Sequence, residues 1–184
     1  MLVNAASSTQ RIEQALLDRN RVFQEFFAHE AEKLASACRE MAQRFRSGGR
    51  LLAFGQGPYS TDAQHVSVEF VHPVIVGKRA LPALDLSSAF LPWLKAIVQP
   101  DDIVMGFGPP EGDAAVNQAL AYAEACRAMT FALPGLSGSY VSGSYAFEAP
   151  DPHPFVHQEM VEILYHTLWE TVHVFLEHHE LGHD

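Results

Sequence analysis

Apolar residues in the first quarter of the chain recur at three- and four-residue steps. Ile12, Leu16, Phe23, Phe26 and Phe27 are followed by Leu34, Cys38, Met41 and Phe45. That period lays them along a helical stripe, and residues 8–46 read as two helices. Ser47-Gly48-Gly49 closes the second, with glycine where helices usually turn out. The rhythm then stops. Arg50-Leu51-Leu52-Ala53-Phe54 is a short apolar run closed by Gly55-Gln56-Gly57-Pro58, which reads as a buried strand entering a loop. Residues 81–86, 102–107 and 129–133 are runs of the same kind, and Tyr145 to Glu148 reads as an edge strand. Helices are predicted between them. One follows Thr61 or Asp62, either of which suits a cap, and others cover 88–98 and 114–126. Gln158 to about Glu177 is a last amphipathic helix, with Met160, Leu164, Leu168, Val172 and Phe175 on one stripe.

Strands without in–out alternation, each followed by a helix, predict a parallel sheet covered on both faces. Ligands of such sheets sit at the carboxyl ends of the strands. The loops of interest are therefore 55–61, 87–89, 108–113 and 134–144. No internal repeat or low-complexity tract interrupts the pattern. The expected organisation is a single domain over 1–184, with a helical arm (1–46), an α/β core and final helix (47–177) and a polar tail (178–184).

Composition narrows the function classes. The chain has 184 residues, 48% of them hydrophobic, enough for a sizeable core. A formal net charge of −10 argues against a general nucleic-acid or anionic-membrane binder, both of which need a basic surface. Cys38 and Cys126 fall in helical patterns without a CxxC spacing and read as buried free thiols. Met1-Leu2-Val3-Asn4 has no basic segment leading into an apolar core, so no signal peptide is expected. No apolar run nears the roughly 20 residues of a membrane span. A cytoplasmic protein is the expectation, with a protein partner left open.

The candidate chemistry lies in two short strings. His65 and Glu69 stand four residues apart, on one face of a helix. Gln158 and His166 lie on the last long helix. Imidazole, carboxylate and amide groups so placed bind a divalent metal or move protons beside a carbonyl. Taken alone, His65 and Glu69 also fit a surface ion pair, and Asp62 fits either a helix cap or a substrate contact. Eight residues of ideal helix rise about 12 Å. For Gln158 and His166 to share an ion, either Gln158 precedes the helix or one ligand comes from a neighbouring subunit. His72, His153 and His157 read as loop residues. His173, His178, His179 and His183 resemble a metal-binding tail but read as a solvated helix end. Met160, Leu164 and Trp169 are expected in the core or a subunit interface.

Two N-terminal helices and four strings after them, in order and spacing, carry a resemblance along nearly the whole chain: GGRLLAFGQG, GQGPYSTDAQHVSVEF, RALPALDLSS and QEMVEILYH. They resemble the SIS-domain (sugar isomerase) proteins of the phosphoheptose isomerase type, whose first loop and helix usually read GNGGSAxDAQHxAxEL. The resemblance implies a flavodoxin-like α/β SIS domain and a homotetramer with sites built between subunits. It implies zinc, or another divalent metal, held at His65, Glu69, Gln158 and His166. It implies aldose–ketose isomerisation of a sugar or sugar phosphate through an enediol, with Glu69 as base and His166 as partner acid/base. It implies substrate contacts at Gln56, Gly57, Ser60, Asp62, Glu69 and Gln158.

The phosphate-binding strings of that family are altered. Tyr59 stands at the first-loop serine and Pro58 at a glycine, with Ser60 one place on. The family's STSGNS cluster reads Gly108-Pro109-Pro110-Glu111-Gly112-Asp113, without a hydroxyl and with two carboxylates. Phe155 replaces an acidic residue before the QE segment, and Ala89 is nearest to an expected aspartate. Glu111 and Asp113 also suit the start of a helix, where acids favour the macrodipole, and Tyr59 is expected to plug the pocket. Three readings follow: a ligand uncharged or cationic at the loop end, a non-catalytic scaffold or assembly protein that keeps fold and metal, or a heptose phosphate held by other contacts.

Overall fold

The computed structural model describes residues 5–133, 145–147 and 153–180, with backbone alone at 5, 6, 179 and 180. The small-residue loop 134–144, Glu148 of the predicted edge strand, Met1 to Asn4 and His183 of the tail lie outside the described residues, as does the side chain of His179.

The two predicted N-terminal helices are one. α1 runs unbroken from Ala5 to Arg46. No Gly or Pro occurs between those residues, so nothing in the sequence stops the helix once it has formed. Its second half is buried through Leu34, Ala37, Cys38, Met41 and Phe45, whereas Ile12, Leu16 and Leu17 of the first half are exposed. The chain then alternates as β1 (Leu51–Gly55), α2 (Ser60–Val71), β2 (Ala83–Asp85), α3 (Phe90–Ile97), β3 (Ile103–Phe107), α4 (Ala114–Ala125), β4 (Met129–Leu133), β5 (Tyr145–Ala146) and α5 (Pro154–Glu180). The strands pair in parallel in the order β2-β1-β3-β4-β5. This is the flavodoxin-like doubly wound order, whose strand order reverses between β1 and β3.

Alternation divides the core in two. Leu51, Ala53, Ile103, Met105, Phe107, Met129, Phe131 and Leu133 point to the face covered by α1, α2 and α5. Leu52, Phe54, Val104 and Ala132 point to the face covered by α3 and α4. Both faces are apolar, which is why the strands read as continuous hydrophobic runs. Cys38 is buried and Cys126 half-buried, both as free thiols.

Two predicted details differ. α2 has Tyr59 as its N-cap, without a side-chain cap bond, so neither Thr61 nor Asp62 caps it. A 3-10 turn over Gly57–Tyr59 runs straight into the helix, so its first amides are met by that turn, with the Ser60 amide donating to Gly57 and Pro58 oxygens. Asp113 does cap α4, its carboxylate accepting from Ala115 N at 2.8 Å and Val116 N at 2.9 Å. His173 belongs to no tail: it is buried, with its ring nitrogens 2.8 Å from Trp169 O and 2.9 Å from Arg79 O.

Candidate active site

β1 ends at Gly55, and the chain must reverse at once to lay α2 against the sheet. An added Cβ on Gly55 would stand 2.1 Å from Tyr59 O, so only glycine admits this closeness. α2 then packs Ala63, Val66 and Phe70 into the core. The remaining faces of that helix carry Asp62, His65 and Glu69. α5 packs beside it through Met160, Val161, Leu164 and Leu168 and brings Gln158, Glu162, Tyr165 and His166 alongside.

His65 Nε2 lies 3.3 Å from Glu69 Oε1, and His166 Nε2 lies 3.9 Å from the same oxygen. The two imidazole rings are 5.4 Å apart at 79°. Glu69 is largely covered, its side chain 14% exposed, while His65 and His166 are 44% and 45% exposed. The carboxylate is thus shielded and the imidazoles face outward. A groove of about 450 Å³ between α1 and α5 reaches His166, lined also by Leu16, Arg19, Phe23 and Glu162.

The donor set suits a divalent ion. One ligand atom from each of His65, Glu69 and His166 lies within 4.8 Å of the others. A tetrahedral zinc with ligands at about 2.0–2.2 Å sets its donors about 3.3–3.6 Å apart, which the His65–Glu69 pair already meets and the His166–Glu69 pair slightly exceeds, and three protein ligands leave a fourth position open. Gln158 lies one turn inside α5, so it does not precede the helix. Its Nε2 donates to Asp62 Oδ1 at 2.6 Å, and a metal contact from Gln158 would have to break that bond.

Tyr165 was not singled out from the sequence. It is fully buried, and its hydroxyl lies 2.8 Å from His65 Nδ1. Burial pushes the phenol well above its ordinary range, reinforced by the charges of Glu162, Asp62 and Glu69, so it stays neutral. A neutral phenol either donates or accepts, so it fits His65 with the proton on either nitrogen. With Nδ1–H donating to Tyr165, the Nε2 lone pair points toward Glu69 and His166. The available signal was a hydroxyl seven residues after Gln158, hence on its face of the helix, within an otherwise apolar stripe.

Asp62 is 3% exposed, and burial raises its pKa, with the Gln158 hydrogen bond opposing. Tyr59 is half-buried against the larger core and meets the His157 ring edge-on at 6.2 Å. His157 is itself buried, with Nε2 unpaired. Gln56 and Gly57 are exposed and Ser60 half-buried at the start of α2. His72 and His153 are exposed away from the His65–Glu69–His166 group.

Among the described residues no helix is long and apolar enough to cross a membrane. No protein-family model matches the chain. It is 29% identical over 182 residues to the phosphoheptose isomerase of Solidesulfovibrio magneticus, covering 90% of this chain and 87% of that one. Its fold is similar to that of the phosphoheptose isomerase of Francisella tularensis, with a TM-score of 0.78 and 20% identity, covering 90% of this chain and 97% of that one. The phosphoheptose isomerase of Neisseria gonorrhoeae superposes with a TM-score of 0.75 at 22% identity, covering 89% and 97%. With sequence likeness along nine-tenths of its length and the same doubly wound architecture, the chain resembles the SIS-domain proteins of the phosphoheptose isomerase type.

Proposed function

We propose that the protein interconverts an aldose and a ketose by moving a proton between adjacent carbons through an enediol. The observation that supports this most is the convergence of two imidazoles from two helices on a shielded carboxylate. Such a shift needs a base at one carbon and an acid near the neighbouring oxygen. Glu69 takes the proton next to the carbonyl. Both imidazole contacts fall on its Oε1, which leaves Oε2 for that task. His166, open to the groove, hands a proton to the oxygen as it becomes a hydroxyl and takes it back on return. His65, oriented by Tyr165, completes the set.

His65, Glu69 and His166 would hold a zinc-like ion, with Gln158 a fourth ligand only where it leaves Asp62. Such an ion supplies charge to a carbonyl oxygen. Gln56, Gly57, Ser60 and Asp62 frame the far end of the ligand, directly or, for buried Asp62, by holding Gln158. The domain acts as one unit over 1–184. Its exposed Ile12, Leu16 and Leu17 support assembly of the arm with further copies into a homotetramer.

The test is proton exchange at the carbon beside the carbonyl, followed by NMR in deuterated buffer with carbonyl sugars and their phosphates. Glu69→Gln keeps the shape and removes the base. Exchange should fall by about a thousandfold or more while the assembly state stays unchanged. Undiminished exchange in that variant would remove Glu69 from the role.

A further inference from the structure

The reacting groups occupy the α2–α5 seam, and the crevice between the loops after β1 and β3 lies beyond the amino end of α2. Asp62 precedes Glu69 by seven residues of helix, a rise of about 10 Å. A ligand with its carbonyl at Glu69 therefore reaches the loops with its other end. This rests on the isomerase reading above and asks what that end is.

Among the described residues, the loops after β1 and β3 offer an anion few donors. Pro58, Pro109 and Pro110 bear no N–H. Four of the remaining amides are spent. Gln56 N donates to Phe107 O, Tyr59 N to Gln56 O, Gly108 N to Leu133 O and Gly112 N to Pro109 O. Two nearby hydroxyls are engaged too, Thr61 donating to Pro58 O and Ser87 to Asp85 while also accepting from Gly55 N. Glu111 is exposed, and its charge acts on both Tyr59 and His157. Burial pulls His157 below the ordinary imidazole range, so it adds no cation here.

The chain after Arg50 shows the same bias. Residues 51–184 hold sixteen Asp and Glu against four Lys and Arg: Lys78, Arg79, Lys95 and Arg127. Lys78 pairs with Glu177. Lys78 and Arg79 lie in the segment feeding β2, Lys95 ends α3, and Arg127 follows α4. All four thus stand where the chain enters a strand at its amino end, opposite the crevice. A terminal phosphate, carrying about −1.5 to −2 at neutral pH, would meet Glu111 with none of these four cations beside it.

We infer that the ligand's far end is uncharged: the site takes an unphosphorylated sugar, whose hydroxyls donate to Glu111 and pair with Tyr59, Gln56 and Ser60. Hydroxyl donors meeting a carboxylate make the stronger, charge-assisted hydrogen bonds, whereas a like charge at the same place is repelled.

The test uses the native full-length assembly and a panel of ketoses of five to seven carbons, each free and with a terminal phosphate. Calorimetric titration reads binding, and NMR exchange reads the chemistry separately. At least one free sugar should bind about tenfold or more tighter than its phosphate. Glu111→Lys should narrow or reverse that preference. A phosphate that binds as tightly as, or more tightly than, its free sugar would overturn the inference, as would no binding by any free sugar or an unchanged preference in the variant. The isomerase reading is judged by exchange alone, so phosphate-selective exchange would sink the inference and keep that reading. Selective binding of a free sugar without exchange would do the reverse.

Discussion

Asp62 is a carboxylate in a place that suits its neutral form. Its pKa is raised, chiefly by burial, so the folded state holds the proton more tightly than the unfolded chain does. Stability contributed by this group is present below the unfolded aspartate value, about 3.9, and is lost as pH rises through the folded one. Asp62→Asn removes that dependence, and its side-chain oxygen still accepts from Gln158. The variant should gain stability relative to wild type as pH rises from about 4 to 7, read from urea midpoints across that range. A gap that shrinks with rising pH would contradict the account. Tyr165 can be treated in the same way. Tyr165→Phe keeps the packing and deletes the group that orients His65. Loss of such a partner costs about 10- to 100-fold in metal affinity, so competition with a chelator should show weaker zinc retention at an unchanged thermal midpoint.

At the scale of elements, the turn from β1 into α2 sets the site. Gly55 and the 3-10 turn bring Tyr59 back over the strand end, and that turn fixes the rotation of α2. An added methyl would overlap Tyr59 O at 2.1 Å, a backbone atom that yields only if the helix start moves. Gly55→Ala should therefore destabilise by about 1–3 kcal/mol, the usual cost of overpacking, and reduce exchange at Glu69 more than fold loss explains. Circular dichroism melts beside the exchange assay separate the two effects. The α1 result belongs to this scale too. Periodicity placed helix on both sides of residues 28–33, but the break between two helices was assumed. Without Gly or Pro the backbone had no reason to turn, and tertiary packing of α1 on α5 did not impose one.

For the whole molecule, the amino ends of the central strands are tied by a buried charge. Asp102, 1% exposed, accepts from Arg50 N at 3.0 Å, Arg50 Nε at 3.1 Å, Arg50 Nη2 at 2.7 Å and Gln99 N at 2.8 Å. It joins β1, β3 and the end of α3, far from the reacting groups. Asp102→Ala leaves those donors unmet and should cost about 3–5 kcal/mol, seen as a lower urea midpoint with the metal-binding stoichiometry retained in the folded fraction. A cost under about 0.5 kcal/mol, typical of a surface change, would deny Asp102 that role. This end of the sheet supplies stability, and the chemistry proposed above is assigned to the opposite end and the α2–α5 seam.

The sequence by itself determined the fold class. Unalternated apolar strands joined by helices permit little but a parallel sheet covered on both sides, and the four-residue spacing of His65 and Glu69 had to place them on one face of α2. The place of Asp113 at the start of a helix was equally local, though its capping bonds were seen only in the structure. What lay beyond the sequence were relations between elements. The meeting of His166 with Glu69, the commitment of Gln158 to Asp62 and the Tyr165 bond to His65 depend on how α5 is rotated against α2. That rotation is set by the sum of side-chain packing between Phe70, Leu164, Leu168 and the sheet, a property of the assembled core that local spacing does not encode.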